Sequence, residues 1–228
     1  MQLIDLALET TGHLLSLALG AGGNITLSVR KNRKAEDLPS ILAEALRARR
    51  RKVRDIGRVF TDAGPGYFTG IRAGLVFSKT LCQFLGCKLF ALNSLDILAE
   101  KAGMRRRTVA VVKDALGERL FFGLYRHGKK IVSPRLIHIE ELKGYLSLSG
   151  YEPFYLTGDA VLKYGALLGK LLGERAIFVS GRKNLLSAGD VLRYGRLYAQ
   201  KNPPDSWKTA LPVYLKPSYA EERKGIRV

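Results

Sequence analysis

Carboxylates stand directly after apolar, strand-like runs at two places in this chain: Glu9-Thr10-Thr11-Gly12 near the start and Asp114-Ala115-Leu116-Gly117-Glu118 in the second half. Together with Asp5, these are the acidic groups that could hold Mg-ATP between two hairpins and take a proton from a substrate hydroxyl, as phosphoryl transfer requires. The Thr10-Thr11-Gly12 turn lacks the run of glycines that lets backbone amides wrap phosphates. The competing reading, in which turn carboxylates cap neighbouring backbone amides, is favoured. A vestigial nucleotide pocket at Glu9, Thr10, Thr11 and Asp114 lies between the two.

Other chemistries find less support. The three histidines, His13, His127 and His138, are far apart and never at the i, i+4 spacing of a helical metal site, so no metal is expected on this chain. There is no Gly-x-Ser-x-Gly elbow and no Gly-Lys-Ser/Thr loop. A Ser/His/Asp triad needs no sequence proximity, so spacing leaves it open, but no nucleophile and base stand together as a peptidase reading would ask. Cys82 and Cys87, the only cysteines, read as small buried apolar residues and not as a disulfide framework.

Charge points to polyanions. The 228 residues carry 38 Lys+Arg against 20 Asp+Glu, a formal net charge of +18. Basic clusters fall at Lys31, Arg33 and Lys34, at Arg47, Arg49, Arg50 and Arg51, at Arg105, Arg106 and Arg107, and at Arg223, Lys224 and Arg227. Aromatic residues do not interleave with them, so the expected contact is with phosphate backbones and not with bases. A merely solvated basic surface is the alternative. No run of 18 apolar residues occurs and the first residues include Asp5 and Glu9, so neither a membrane span nor a leader is expected, and the location expected is the cytoplasm.

The elements that must position these groups repeat. Strands are expected over 1–8, 14–19 and 24–30, a helix over 38–51, a strand ending at Val59-Phe60-Thr61, a helix over 70–85, a short strand over 88–91 and a helix over 94–102. Between the fourth strand and its helix runs Gly64-Pro65-Gly66-Tyr67-Phe68-Thr69-Gly70-Ile71-Arg72-Ala73-Gly74, a tight turn opening a helix that is apolar over more than one face. That pattern predicts a surface that meets something. From Arg105 the order returns: strands over 108–113, 120–125 and 130–138, a helix over 139–148, a strand over 154–157 and a helix over 160–172. An internal duplication follows, with lobes at 1–104 and 105–228 and a helix at 188–200 packing back on the first lobe. The fold class expected is α/β: two duplicated lobes of the actin/sugar-kinase/Hsp70 type, with mixed five-stranded sheets and flanking helices.

Leu6-Ala7-Leu8-Glu9-Thr10-Thr11, the glycine-rich run at 64–74, Leu92-Asn93-Ser94-Leu95, Asp114-Ala115-Leu116-Gly117-Glu118 and Pro212-Val213-Tyr214-Leu215 resemble the bacterial TsaB (YeaZ) family over most of the chain. Tyr67 stands where that family usually has Ser, Glu9 where it usually has Asp, and Lys34-Ala35 near its usual His-Ser or His-Thr pair. The resemblance implies a non-catalytic partner of TsaD, the metal-bearing enzyme that transfers a threonylcarbamoyl group to the adenosine next to the anticodon of certain tRNAs, helped by the ATPase TsaE. It implies that ATP and metal reside in those partners and that none binds this chain alone. By position it places Leu38, Leu42, Tyr67, Phe68, Ile71, Arg72 and Leu75 at the TsaD interface. Weak electrostatic contact with tRNA is expected from Arg47, Arg49, Arg50, Arg51, Arg105, Arg106 and Arg107. The same apolar surface would also allow the isolated chain to self-associate. A small-metabolite kinase of the same architecture, using Mg-ATP, is the alternative.

Overall fold

The computed structural model describes residues 3–12, 14–22, 24–30, 37–150 and 153–216. The clusters at Lys31, Arg33 and Lys34 and at Arg223, Lys224 and Arg227, together with His13 and the Lys34-Ala35 pair, lie outside the described residues. The chain divides into two units, Met1–Ser94 with Leu186–Val213, and Leu95–Leu185 with Tyr214–Val228.

In the first unit, β1 (Ile4–Glu9), β2 (Leu15–Ala21), β3 (Asn24–Arg30), β4 (Ile56–Asp62) and β5 (Lys88–Leu92) form one sheet in the order β3-β2-β1-β4-β5. β2 pairs antiparallel with β1 and β3, whereas β4 pairs parallel with β1 and β5. The parallel pairings need crossovers, which α1 (Leu38–Ala48) and α2 (Phe68–Leu85) supply. β1 is buried along its whole length, and its period-two alternation serves two different layers. Ile4, Leu6 and Leu8 join Leu38, Ile41, Leu42, Leu46, Leu75 and Cys82 in one apolar core. On the other register Asp5 meets α6 (Ala188–Tyr198), where Arg196 Nε donates to Asp5 Oδ2 at 2.7 Å. Arg58 Nε of β4 donates to Asp5 Oδ1 at 2.6 Å, so one buried carboxylate joins two strands and a helix. α6 begins with a capping box at Ser187 and Asp190, and Gly195 lies against the Phe60 ring where a larger residue would not fit.

The second unit repeats the plan. β6 (Thr108–Asp114), β7 (Arg119–Arg126), β8 (Lys129–His138), β9 (Phe154–Thr157) and β10 (Ala176–Phe178) are ordered β10-β9-β6-β7-β8, which read from the other edge is the order of the first sheet. α4 (Leu142–Ser149) and α5 (Asp159–Leu172) pack with it around Phe122, Leu124, Leu146, Phe154 and Leu168. The expected architecture of two duplicated lobes with mixed five-stranded sheets is therefore the observed one. β10 has no counterpart in the sequence reading, because three residues, the middle one exposed, are too short a run to carry a periodic signal.

The expected boundary between 104 and 105 is corrected to one between Ser94 and Leu95, with 186–213 returning to the first unit. The reason is chemical: α3 (Ser94–Lys101) is fastened to the second sheet, where the Tyr125 hydroxyl donates to Asp96 Oδ1 at 2.8 Å and Lys130 Nζ pairs with Asp96 Oδ2 at 2.8 Å.

Removing the carboxylate that joins β1, β4 and α6 leaves two guanidinium groups facing each other. Because Arg58 and Arg196 side chains keep 38% and 24% exposure, the Asp5→Ala cost is expected at about 2 kcal/mol, below that of a fully buried pair. Urea unfolding checks it: the midpoint falls while the m-value holds. An unchanged midpoint would show that the pair contributes nothing.

Candidate functional site

The glycine-rich run meets its own chain. Gly66, Gly70 and Gly74 recur every four residues, so they share one face of α2 and its approach. A Cβ at Gly66 would strike the Thr11 carbonyl, one at Gly70 the Thr10 carbonyl, and one at Gly74 the Thr10 hydroxyl. With hydrogen in those places the helix settles directly on the β1–β2 turn. The Tyr67 N–H donates to the Thr11 carbonyl at 2.9 Å and the Thr10 hydroxyl to the Gly70 carbonyl at 2.8 Å.

That contact gathers a buried polar cluster at the ends of β1 and β4. Glu9 Oε1 accepts from the backbone N–H groups of Thr11 at 2.8 Å and Gly12 at 3.1 Å, which is an amide-capping role. The Thr11 hydroxyl stands 2.9 Å from both Glu9 Oε1 and Asp62 Oδ2. Asp62 also accepts from the Ser94 hydroxyl at 2.6 and 2.8 Å and from the Gly64 N–H at 2.9 Å. Glu9, Thr11, Asp62 and Ser94 are all buried, so they are held by one another and by backbone. Sequence reasoning missed Asp62 and Ser94. The signal available was a carboxylate closing β4 just before the Gly-Pro-Gly turn.

The duplicate turn in the second unit is occupied too. Asp114 Oδ2 accepts from Lys163 Nζ at 2.6 Å, and Oδ1 accepts from the Leu116 N–H at 3.0 Å and the Tyr164 hydroxyl at 3.2 Å. The hydrogen bond to Asp114, helped by Tyr164, holds the Lys163 ammonium above the usual lysine range. Asp159, opening α5, accepts from the Asp114 N–H at 2.8 Å. All three carboxylates considered for nucleotide chemistry, Asp5, Glu9 and Asp114, thus have structural partners. Among the described residues no group of three or more His, Cys, Asp or Glu is placed to hold a metal ion.

The residues expected at a partner interface separate. Leu38, Leu42, Ile71 and Leu75 are buried in the first unit's own core, so the expectation that they face a partner is corrected. What read as an excess of apolar surface is the inner stripe of two helices that cover the sheet. Tyr67 and Phe68 are half-buried, and Arg72 is exposed with its guanidinium 3.9 Å above the Phe68 ring centre. The outward side of α2 also bears Val76 and Phe84, exposed at 61% and 80%.

The arginines expected to meet tRNA stand in both units. Arg47, Arg49 and Arg50 are exposed at the end of α1, and Arg51 is half-buried beside Arg49 in a cavity of about 130 Å³. Arg105, Arg106 and Arg107 are exposed before β6; Arg105 pairs with Glu100 at 2.8 Å and Arg107 covers the Tyr155 ring at 4.3 Å.

The glycine contact generates a test by contrast. Gly70→Ala is expected to cost about 1–3 kcal/mol through overpacking, whereas Gly144→Ala in α4, where a Cβ meets nothing within 4 Å, is expected to gain about 0.5–1 kcal/mol. Chemical denaturation of both variants reads the signs. A neutral Gly70→Ala would mean that α2 does not rest on the turn.

A family model described as "TsaD: tRNA N6-adenosine threonylcarbamoyltransferase" matches residues 28–164, more than half of the chain. The TsaB protein of Bacillus subtilis, described as a tRNA threonylcarbamoyladenosine biosynthesis protein, is 25% identical over 126 residues, 54% of this chain and 55% of that one. The protein of the same description from Buchnera aphidicola is 28% identical over 127 residues, 54% of this chain and 60% of that one. The chain thus matches little more than half the length of these curated relatives. The structure of YeaZ from Pseudomonas aeruginosa superposes with a TM-score of 0.74 at 23% identity, over 94% of this chain and all of that one, and so shares the fold. The resemblance to TsaB (YeaZ) drawn from the sequence is borne out. The chain belongs to the family that the TsaD model describes, and within it the likeness is to TsaB and YeaZ proteins.

Proposed function

We propose that this chain acts in the formation of threonylcarbamoyladenosine in tRNA as a non-catalytic partner of a TsaD-type transferase, docking through the outward face of α2. The observation that carries the docking surface is the exposure of Val76 and Phe84 on one side of an 18-residue helix whose other side is closed by its own sheet and turn. Apolar side chains held outward on a rigid helix form the anchors of a helical interface. Phe68 and Arg72, stacked on each other, extend that face toward the helix start, with Tyr67 at its edge. The family likeness supports a TsaD-type transferase as that partner.

On this reading the acidic turns do structural work. Glu9 and Asp62 hold the β1–β2 turn beneath α2, and Asp114 holds the start of the second hairpin through Lys163. The threonylcarbamoyl chemistry, with its ATP and metal, then resides in the TsaD-type transferase and a TsaE-type ATPase. The net charge of +18 draws tRNA to the assembly by phosphate attraction that weakens with salt. The exposed arginines at 47, 49, 50 and 105–107 are its contributors in this chain.

Light scattering on a sizing column, with the TsaD-type protein of the same organism, tests the docking surface. A one-to-one complex is expected with the natural chain. Val76→Asp and Phe84→Asp, which place charges on positions already exposed and so leave the fold intact, are expected to weaken it at least about tenfold, because the charge is unpaired on association. Undiminished complex formation by both variants would overturn the assignment of this face.

A further inference from the structure

The end of α2 carries a second chemistry. Gly86 closes the helix in the left-handed region at φ 65°, and its N–H donates to the Cys82 carbonyl at 3.0 Å. In helix endings with a left-handed glycine, the residue after the glycine frequently contacts the residue four positions before the glycine. Those two residues are Cys87 and Cys82, and their sulfurs lie 3.1 Å apart as free thiols. The cap itself therefore brings together cysteines from either side of a turn. Cys82 is buried against the core and Cys87 is half-exposed, so one sulfur is open to reagents and the other is held behind it.

We propose that Cys82 and Cys87 are a modification site: a dithiol that a hydroperoxide oxidises to an intramolecular disulfide across the C-terminal cap of α2. With Cys87 as the thiolate, the Cys82 S–H donates to it, which draws the Cys87 thiol below its ordinary range and, with burial, pushes the Cys82 thiol up. Cys87, the sulfur open to reagents, is therefore the attacking one. Its thiolate takes the outer oxygen of the hydroperoxide, the O–O bond breaks, and the alkoxide or hydroxide that leaves takes up a proton; Cys87 becomes a sulfenic acid. The Cys82 sulfur then attacks the Cys87 sulfur, the S–O bond breaks, and the departing hydroxide leaves as water with the Cys82 proton. Two electrons pass from the two sulfurs to the peroxide bond. A small dithiol reverses the reaction by exchange. The cross-link fixes the last turn of α2, where Phe84 stands, and it does not rest on the partner reading.

The full chain, reduced and desalted, is treated with hydrogen peroxide. Thiol titration in denaturant is expected to fall from the two cysteines of the sequence to none, the intact mass to fall by about 2 Da as two hydrogens are lost, and the chain to stay monomeric on a non-reducing gel. Dithiothreitol restores both thiols. Cys82→Ser is expected to accumulate a sulfenic acid that dimedone traps, while Cys87→Ser is oxidised far more slowly. Persistent thiols, oxygen adducts without loss of hydrogen, or disulfide-linked dimers in the natural chain would each overturn the proposal. Equal oxidation of the two single variants would overturn the assignment of Cys87 as the attacking sulfur.

Discussion

The first unit depends on one close approach: α2 lies on the Thr10-Thr11 turn because positions 66, 70 and 74 carry no side chain. Backbone-to-backbone contact at that distance lets Tyr67 donate to the Thr11 carbonyl and Thr10 to the Gly70 carbonyl. It also sets which side of the helix is spent. Ile71, Gly74, Leu75, Ser78 and Cys82 turn inward, so Arg72, Val76 and Phe84 have nowhere to point but outward. The packing constraint and the candidate interface are two sides of the same helix.

Buried acids in this molecule follow a single rule. Each carboxylate at a strand end is met by amides, hydroxyls or a cation: Glu9 by turn amides, Asp62 by Ser94 and Thr11, Asp114 by Lys163, and Asp5 by Arg58 and Arg196. Charges held away from water cost several kcal/mol each unless they are compensated in this way. These contacts fix turns, a helix start and the junction of β1, β4 and α6 with the same residue types that catalysis would use. Residue type alone does not separate the two roles, because the separation lies in the partners.

Much of the fold could be read before the structure. The strand and helix order of both halves was visible from periodicity, and the duplication appears in two sheets of matching strand order. β10 escapes because a run of three residues is too short to show a pattern. The boundary was misplaced because the Asp96–Tyr125 hydrogen bond and the Asp96–Lys130 ion pair, which attach α3 to the second sheet, are long-range and leave no local signal. The site was less legible. The glycine run stood out, but its spacing of four says only that something approaches closely; that the visitor is the Thr10-Thr11 turn is a tertiary fact. Leu38, Leu42, Ile71 and Leu75 are placed at an interface by family position alone, and apolar residues around a helix do not announce which of them the sheet will cover. Cys82 and Cys87, flanking a glycine at a helix end, carried a readable signal in the capping pattern itself.

Site-specific photo-crosslinking tests most directly whether α2, closed on its inner side by its own turn, docks a TsaD-type transferase through its outer side. A photoreactive residue at Val76 is compared with one at Leu162, an exposed apolar position of the second unit. A covalent adduct with the transferase is expected from position 76 and none from position 162. An adduct from 162 with none from 76 would contradict it.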